Sequence, residues 1–365
     1  MAEYNSFDPF SVCFNILKMR YKDYDESLTE KRFLEPQDKI NVFINLETVF
    51  KHLSMIPELE KKLVLQRDFD IILISNILNL AAHYKRFFIM NGLDTKVYLY
   101  HTDFESTEFN QYKYNEDFRT YYLVKYNDNP KFVYLTDALK SSILPDVRTY
   151  CEFIPNLYYI SAKNIEGSLV PLVVAREDEN RKNLIIGGEY YDTQYSFIPK
   201  FVNHFIHKGI GANYIASNPK SYIKEMTKKP DDEVNVMMNV YNSYSAYCSL
   251  ISVLGDRIRS IDGLAGIGPR ILQKYIESGI ERKEIQLTTT NPEMIGKIFH
   301  DNSIKEEFIN NYYCSSIVDM YDELTNAEKI SLINQKRDRC DMNSLVSLNN
   351  TKFANHPLIL ESLSL

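Results

Sequence analysis

The sequence predicts an α/β fold: a mostly parallel sheet flanked by helices, followed by a helical hairpin and a helical C-terminal region. Three observations predict it. Short β-branched apolar runs recur at intervals through residues 39–186. Stretches with apolar residues at helical spacing separate them, and strands alternating with helices imply parallel pairing with both faces covered. Beyond residue 234 the strand-like runs stop and helical spacing takes over.

In chain order, residues 1–36 are polar and aromatic without a period and read as an N-terminal extension. The α/β domain is expected over 37–235. Lys39 to Phe50 opens as a buried strand. Residues 56–90 carry helical spacing, and Lys96–Tyr100 is a second strand. Residues 104–130 are polar, charged and Tyr-rich, residues 130–150 read as helix, and Asn156–Ile160 is a third strand. Ile165–Ala175 is expected to be helical with Pro171 near a first turn or a kink. Asn183–Ile186 is a fourth strand ending in Gly187-Gly188. Residues 218–233 read as a surface loop or linker, 236–285 as a hairpin element, and 286–365 as a helical region with a less regular tail.

The bulk properties narrow the class. Of 365 residues, 44% are apolar and 25% charged, as in an ordinary soluble globular chain. No apolar run has membrane-spanning length, and MAEYNSFDPF lacks a basic and then apolar leader, so neither membrane nor secretion is expected. Cys13, Cys151, Cys248, Cys314 and Cys340 form no CxxC pair, which argues against a zinc site or a disulfide framework. A net charge of −7 is unlike the basic balance usual for a DNA-bound protein, so DNA contact needs a local basic face. Tyr 27, Phe 20 and Trp 0 beside many Asn and Lys suggest an AT-rich coding genome.

The most informative segment is 250–276, LISVLGDRIRSIDGLAGIGPRILQKYI. An apolar run ends at Gly255-Asp256, a turn carries Gly263, Gly266 and Gly268, and helical spacing resumes at Ile271. Glycines so spaced allow a tight turn between helices and leave N–H groups at a helix start, a phosphate cradle. The segment resembles the helix-hairpin-helix of the flap endonuclease and 5'-nuclease family, roughly LxGDxSDNIPGVxGIGxKTAxxLL. Gly255, Asp256, Ile261, Gly263, Gly266, Ile267 and Gly268 fall in register, and Arg259 stands where the family has Asp.

The resemblance runs over about residues 39–285 and implies a PIN-like sheet with its site at the carboxyl edge. The family's carboxylates hold two Mg²⁺ or Mn²⁺ ions about 4 Å apart, which activate water against a phosphodiester. Its first strand ends Ile-Asp-Gly, where this chain has Ile44-Asn45-Leu46, with Glu47 read as a helix-start residue. Its second ends Phe-Asp-Gly before a basic stretch, where this chain has Asp103 and then Tyr112-Lys113 and Arg119. The EADD motif corresponds to Glu166-Gly167-Ser168. The SGDxDxxQL motif corresponds to Gly188-Glu189-Tyr190-Tyr191-Asp192-Thr193-Gln194, with Asp192 one residue out of phase. Remnant acids are therefore Asp103, Glu166, Glu189 and Asp256. The lost positions are Asn45, Ser168, Tyr191 and Arg259.

Weaker features are His204 and His207, read as i, i+3 on a helix face without a third ligand, and the lysines 220, 224, 228 and 229 beside the hairpin. No P-loop, GxGxxG or nucleophile motif occurs.

Three functions follow from the resemblance. The first is a catalytically inactive nuclease homologue acting as a binding or structural component of a phage or other viral complex. It has protein partners, no cofactor and no catalytic residues, and acts in the host cytoplasm or virion. The second is a divergent Mg²⁺ or Mn²⁺ nuclease using Asp103, Glu166, Glu189 and Asp256. The third is a non-catalytic binder of double-stranded DNA through Gly263, Gly266, Gly268, Arg270 and Lys274, with Lys113.

Overall fold

The computed structural model describes residues 20–21, 31–32, 34–46, 49, 66–103, 143–163, 165–187, 190–205, 214–216, 223–224, 229–241, 243–255, 261–286 and 291–336. Its centre is a six-stranded sheet of β1 (Lys39–Asn45), β2 (Asp94–Asp103), β3 (Leu157–Lys163), β4 (Lys182–Gly187), β5 (Phe201–Phe205) and β6 (Tyr214–Ala216). The order is β3-β2-β1-β4-β5-β6. All neighbours pair in parallel except β5 and β6, which are antiparallel. Strand β1 lies at the middle, and Ile40–Asn45 is buried on both faces, as a continuous apolar run in a parallel sheet requires.

Alternation along the strands sorts the side chains onto two faces. One face carries Val42, Ile44, Val97, Leu99, Leu157, Tyr159, Leu184 and Ile186, and packs on α1 (Gln66–Met90) and α2 (Leu144–Cys151). The other carries Phe43, Tyr98, Tyr100, Tyr158, Ile160 and Ile185. Its cover is α3 (Val170–Glu177) with Ile317, Met320, Leu324 and Leu332 from far along the chain. Phe43, Tyr98 and Tyr158 sit in register on three adjacent strands, with ring centroids 4.9 and 5.1 Å apart. Such cross-strand ring pairs stabilise the sheet by roughly 0.2–1 kcal/mol each.

At the amino ends of the strands, buried Arg181 reaches the carboxylates of Asp94 and Asp178 and the carbonyls of Ile40 and Asp94. It satisfies its own charge while fastening β1, β2 and the entry to β4.

A second core lies in the helices α4 (Asp231–Met238), α5 (Tyr244–Leu254), α6 (Pro269–Glu281), α7 (Pro292–Ile295) and α8 (Asn302–Ser315). Helices α9 (Ile317–Glu323) and α10 (Asn326–Ile333) return to the sheet. Among the described residues no helix is long and apolar enough to cross a membrane.

Several expectations change. His204 lies on β5, so the spacing to His207 is not that of a helix face; His207 lies outside the described residues. Phe201-Val202-Asn203-His204-Phe205 has no apolar alternation, and its strand form follows from pairing with β4 and β6. The expected loop at 218–233 is helical in its last three residues, where α4 begins after Pro230 with Asp231, Asp232 and Glu233 in its first turn; 218–222 and 225–228 lie outside the described residues. Acids there favour the helix dipole. Asn156 is not in β3 but takes a positive φ of 59° just before it. The expected helix over 130–150 is described only from 143, and its earlier part and residues 104–130 lie outside the described residues.

Candidate functional site

The carboxyl ends of β1, β2 and β4 meet the loop before α3. Asn45 ends β1, 6% exposed, on the face that also carries Phe43. Beside it on β2, Thr102 Oγ1 accepts from the backbone N–H of Gly167 at 3.0 Å. A β-carbon at Gly167 would meet that oxygen at 2.7 Å, so only glycine lets the loop come this close. The contact tucks Glu166 inward, 2% exposed, where Ser168 Oγ donates to its Oε1 at 2.7 Å. Ser168, standing where the resembled family has an acid, thus serves as a donor to the acid that is left.

At the end of β4 the segment Tyr190–Phe197 forms a 3₁₀ helix. With three residues per turn, i and i+3 share a face. One face holds Asp192 and Tyr195. Asp192 is fully buried, and its carboxylate lies against Gly187, where a β-carbon would meet its Cγ at 3.2 Å. The Tyr195 hydroxyl donates to the carbonyl of Ser168. Burial raises the Tyr195 phenol well above its ordinary value, and the nearby carboxylates of Asp192 and Glu166 push it in the same direction. Glu166, Ser168, Asp192 and Tyr195 therefore lie together at the carboxyl edge, and Asn45 is buried at the end of β1. The sequence comparison set Asp192 aside as out of phase; its signal was the i, i+3 spacing to Tyr195.

The other face of the 3₁₀ helix holds Tyr191, Gln194 and Phe197. Tyr191 does not project into the carboxyl edge; its hydroxyl points at Met320 Sδ, 3.6 Å away on α9. Gln194, fully buried, donates to the carbonyl of Ser315 at 2.7 Å. Its oxygen accepts from Tyr244 OH, Cys248 Sγ and the N–H of Ile317, each at 3.1 Å. Phe197 packs on Tyr247 of α5, centroids 5.5 Å apart. This face joins the sheet to the helical half of the molecule.

Asp103 does not join Glu166. It shares a face of β2 with Leu99 and His101, opposite to Thr102, and its Oδ2 accepts from Ser161 Oγ at 2.9 Å. On that same face His101 Nε2 is 2.6 Å from Tyr159 OH. Glu189, Asp256, Arg259 and Lys113 lie outside the described residues. Among the described residues no three His, Cys, Asp or Glu side chains gather as metal ligands. Two hydrated divalent ions need several accessible hard oxygens. Among the described residues, a carboxamide at Asn45, two buried acids and one acid across the sheet do not make up that set.

The hairpin is closed by backbone contact. The N–H of Leu264 donates to the carbonyl of Val253 at 2.8 Å. Gly255 has φ 78°, and a β-carbon there would meet Ile261 O at 2.5 Å. At Gly263 one would meet Leu254 O at 2.7 Å. These two glycines serve the close approach itself. Gly266, with φ 77°, and Gly268, the N-cap of α6, have open space where a β-carbon would stand. Lys274 is exposed on α6. Arg270 is paired with Glu233 of α4, and Lys229 approaches the same carboxylate at 3.5 Å. Lys224 pairs with Asp231 at 2.8 Å. The described members of the lysine group thus face the acidic first turn of α4; Lys220 and Lys228 lie outside the described residues.

No family model matches the chain, and no curated protein matches it. Solved structures do. A structure of a phage T5 protein co-crystallised with metal ions is 13% identical, with TM-score 0.49 over 81% of this chain and 96% of that one. The bacteriophage T5 flap endonuclease, in a pseudo-enzyme–product complex with DNA and metal ions, is 14% identical. Its TM-score is 0.47 over 89% of this chain and 100% of that one. A mutant T5 5'-exonuclease is 14% identical, with TM-score 0.41 over 89% and 99% of the two chains. Each of these likenesses covers 81% or more of this chain at 13–14% identity.

Proposed function

We propose that this chain is a nuclease-like protein that does not cut phosphodiesters and acts as a binding component of a phage or other viral complex. One observation carries the proposal. At the end of the central strand, where the resembled family has its first metal-binding acid, this chain has a buried Asn45, and the two acids at the carboxyl edge, Glu166 and Asp192, are themselves buried. A neutral amide is a poor substitute for a carboxylate toward Mg²⁺ or Mn²⁺. The test is cleavage of a labelled 5'-flap duplex with either ion. No cleavage above a protein-free control is expected. Turnover that Glu166→Ala abolishes would overturn the proposal and favour the divergent nuclease.

Protein partners are favoured over DNA by the outer surface of the helical half. Val236 is 57%, Ile271 41% and Tyr275 39% exposed, and Ile271 and Tyr275 lie one turn apart on α6. Apolar side chains grouped on a surface suit a protein contact, while Arg270 beside them already has a carboxylate partner.

A second reading keeps DNA binding without chemistry. Open backbone at Gly266 and Gly268 and the exposed Lys274 support it. In that case affinity for a duplex falls steeply between low and moderate salt, and Arg270→Glu and Lys274→Glu each weaken it further. Affinity indifferent to salt and to both changes excludes it.

A further inference from the structure

A cleft of about 580 Å³ lies at the end of the sheet away from the carboxyl edge, under α3 and the end of α10. Its floor is set by strand register. Lys96 of β2 stands beside Asn41 of β1, and Asn41 stands beside Asn183 of β4. Tyr98 and Tyr158 continue the floor, with Arg181 at one end and Lys336 over it from the chain's return.

Two features of this cleft lack complements. The first is charge. Arg181 faces two carboxylates, Asp94 and Asp178, one more than its single charge, and Lys336 faces Glu177. Lys96 has no carboxylate partner among the described residues. It also lies close enough to Lys336 to help depress that ammonium toward about 8, second to the effect of burial, although the Glu177 contact opposes the shift. Lys336 thus stands between the Glu177 carboxylate and the Lys96 side chain.

The second feature is a hydrogen bond. Asn183 Nδ2 donates to the carbonyls of Arg181 and Lys200, at 3.2 and 3.4 Å, which fixes Asn183 Oδ1 as an acceptor. Asn41 Nδ2 donates to it at 3.0 Å. The orientation of Asn41 is thereby set, and its Oδ1 is left buried in the cleft floor without a donor. Native side chains rarely leave such an atom unmet.

We propose that this cleft binds a small phosphate monoester bearing hydroxyl groups, of sugar-phosphate type, with the phosphate between Lys96 and Lys336 and a hydroxyl donating to Asn41 Oδ1. An anion relieves the repulsion between the two ammoniums. A bare phosphate dianion offers acceptors only and leaves Asn41 unmet, whereas a sugar hydroxyl supplies the donor. The volume falls in the range of small-ligand pockets. The site is independent of the carboxyl edge and of any reading of nuclease activity.

The test is calorimetric titration of the whole chain with ribose 5-phosphate, inorganic phosphate and ribose in separate runs. Ribose 5-phosphate is expected to bind, with phosphate about tenfold weaker or more and ribose not detected, since the charged contact is the stronger one. Lys96→Ala should weaken ribose 5-phosphate about tenfold with an unchanged melting temperature. Lys336→Gln is the second variant and should weaken it similarly. No binding up to about 10 mM, which is weaker than about 3 kcal/mol of affinity, overturns the proposal. So does binding that Lys96→Ala and Lys336→Gln leave unchanged, or phosphate binding as tightly as the sugar ester.

Discussion

Gln335 pairs with both backbone polar atoms of Ser161: the Ser161 N–H donates to its Oε1 at 2.8 Å, and its Nε2 donates to the Ser161 carbonyl at 2.9 Å. Strand β3 is an edge of the sheet, and an edge strand exposes unpaired donors and acceptors to other chains. The amide of Gln335 fills one such pair as a neighbouring strand would. Gln335→Ala should therefore cost about 1–2 kcal/mol in denaturant unfolding. The Ser161 amide should also exchange its hydrogen faster in the variant, a change that a purely global loss of stability would spread over the whole core.

The junction at Gln194 is more demanding. One buried amide serves a carbonyl on α8, a hydroxyl and a thiol on or beside α5, and the first N–H of α9. Gln194→Leu keeps the volume and strands these groups, at roughly 1–3 kcal/mol for each that finds no water. The expected loss of stability is about 3 kcal/mol or more, clearly larger than for Gln335→Ala. An equal or smaller loss means the two halves are not joined here.

The hairpin glycines should separate into two groups. Gly255→Ala and Gly263→Ala each force a β-carbon into backbone, and a loss of about 3 kcal/mol or more is expected because backbone cannot step aside. Gly266→Ala meets open space but needs φ 77°, costing about 1–2 kcal/mol. Gly268→Ala has neither problem and should stay within about 1 kcal/mol. Thermal unfolding of the four variants checks the order.

Alkaline pH should unfold the protein through its tyrosines. Burial raises the phenols of Tyr159, Tyr195, Tyr244 and Tyr312 above their ordinary range. A phenol raised in the folded state contributes stability that is complete below the unfolded pKa of about 10. That stability is lost as pH rises further, because only the unfolded chain releases the proton. Each such group steepens the fall by about 1.4 kcal/mol per pH unit above 10. In Tyr195→Phe the slope between about pH 10 and 11 should be shallower by that amount.

The alternation of apolar runs and helical spacing made the central sheet legible, because strands buried on both faces carry no polar interruption. Strand β5 was not legible because Phe201-Val202-Asn203-His204-Phe205 carries no period-2 alternation, and its strand form depends on pairing with β4 and β6. That Asn45 closes the first strand was legible, because the apolar run before it is continuous. Asp192 was not, because family spacing assumes one helical period and this segment winds with three residues per turn. That Arg270 and Lys224 are neutralised depends on carboxylates of α4, which was read as part of a loop. Gln335 could not be found at all: a side chain that imitates a strand leaves no periodic mark.

The partner of Ser161 lies 174 residues further along the chain. At a synthesis rate of about 5–20 residues per second, roughly 10–35 s pass between the two leaving the ribosome. Throughout that interval β3 presents a free edge, and Tyr158, Ile160 and Ala162 lack the cover that Ile317, Met320 and Leu332 later supply. The nascent protein thus keeps a sticky edge and face until Ile317 to Gln335 emerge, and a polypeptide ending before Ile317 would stay so.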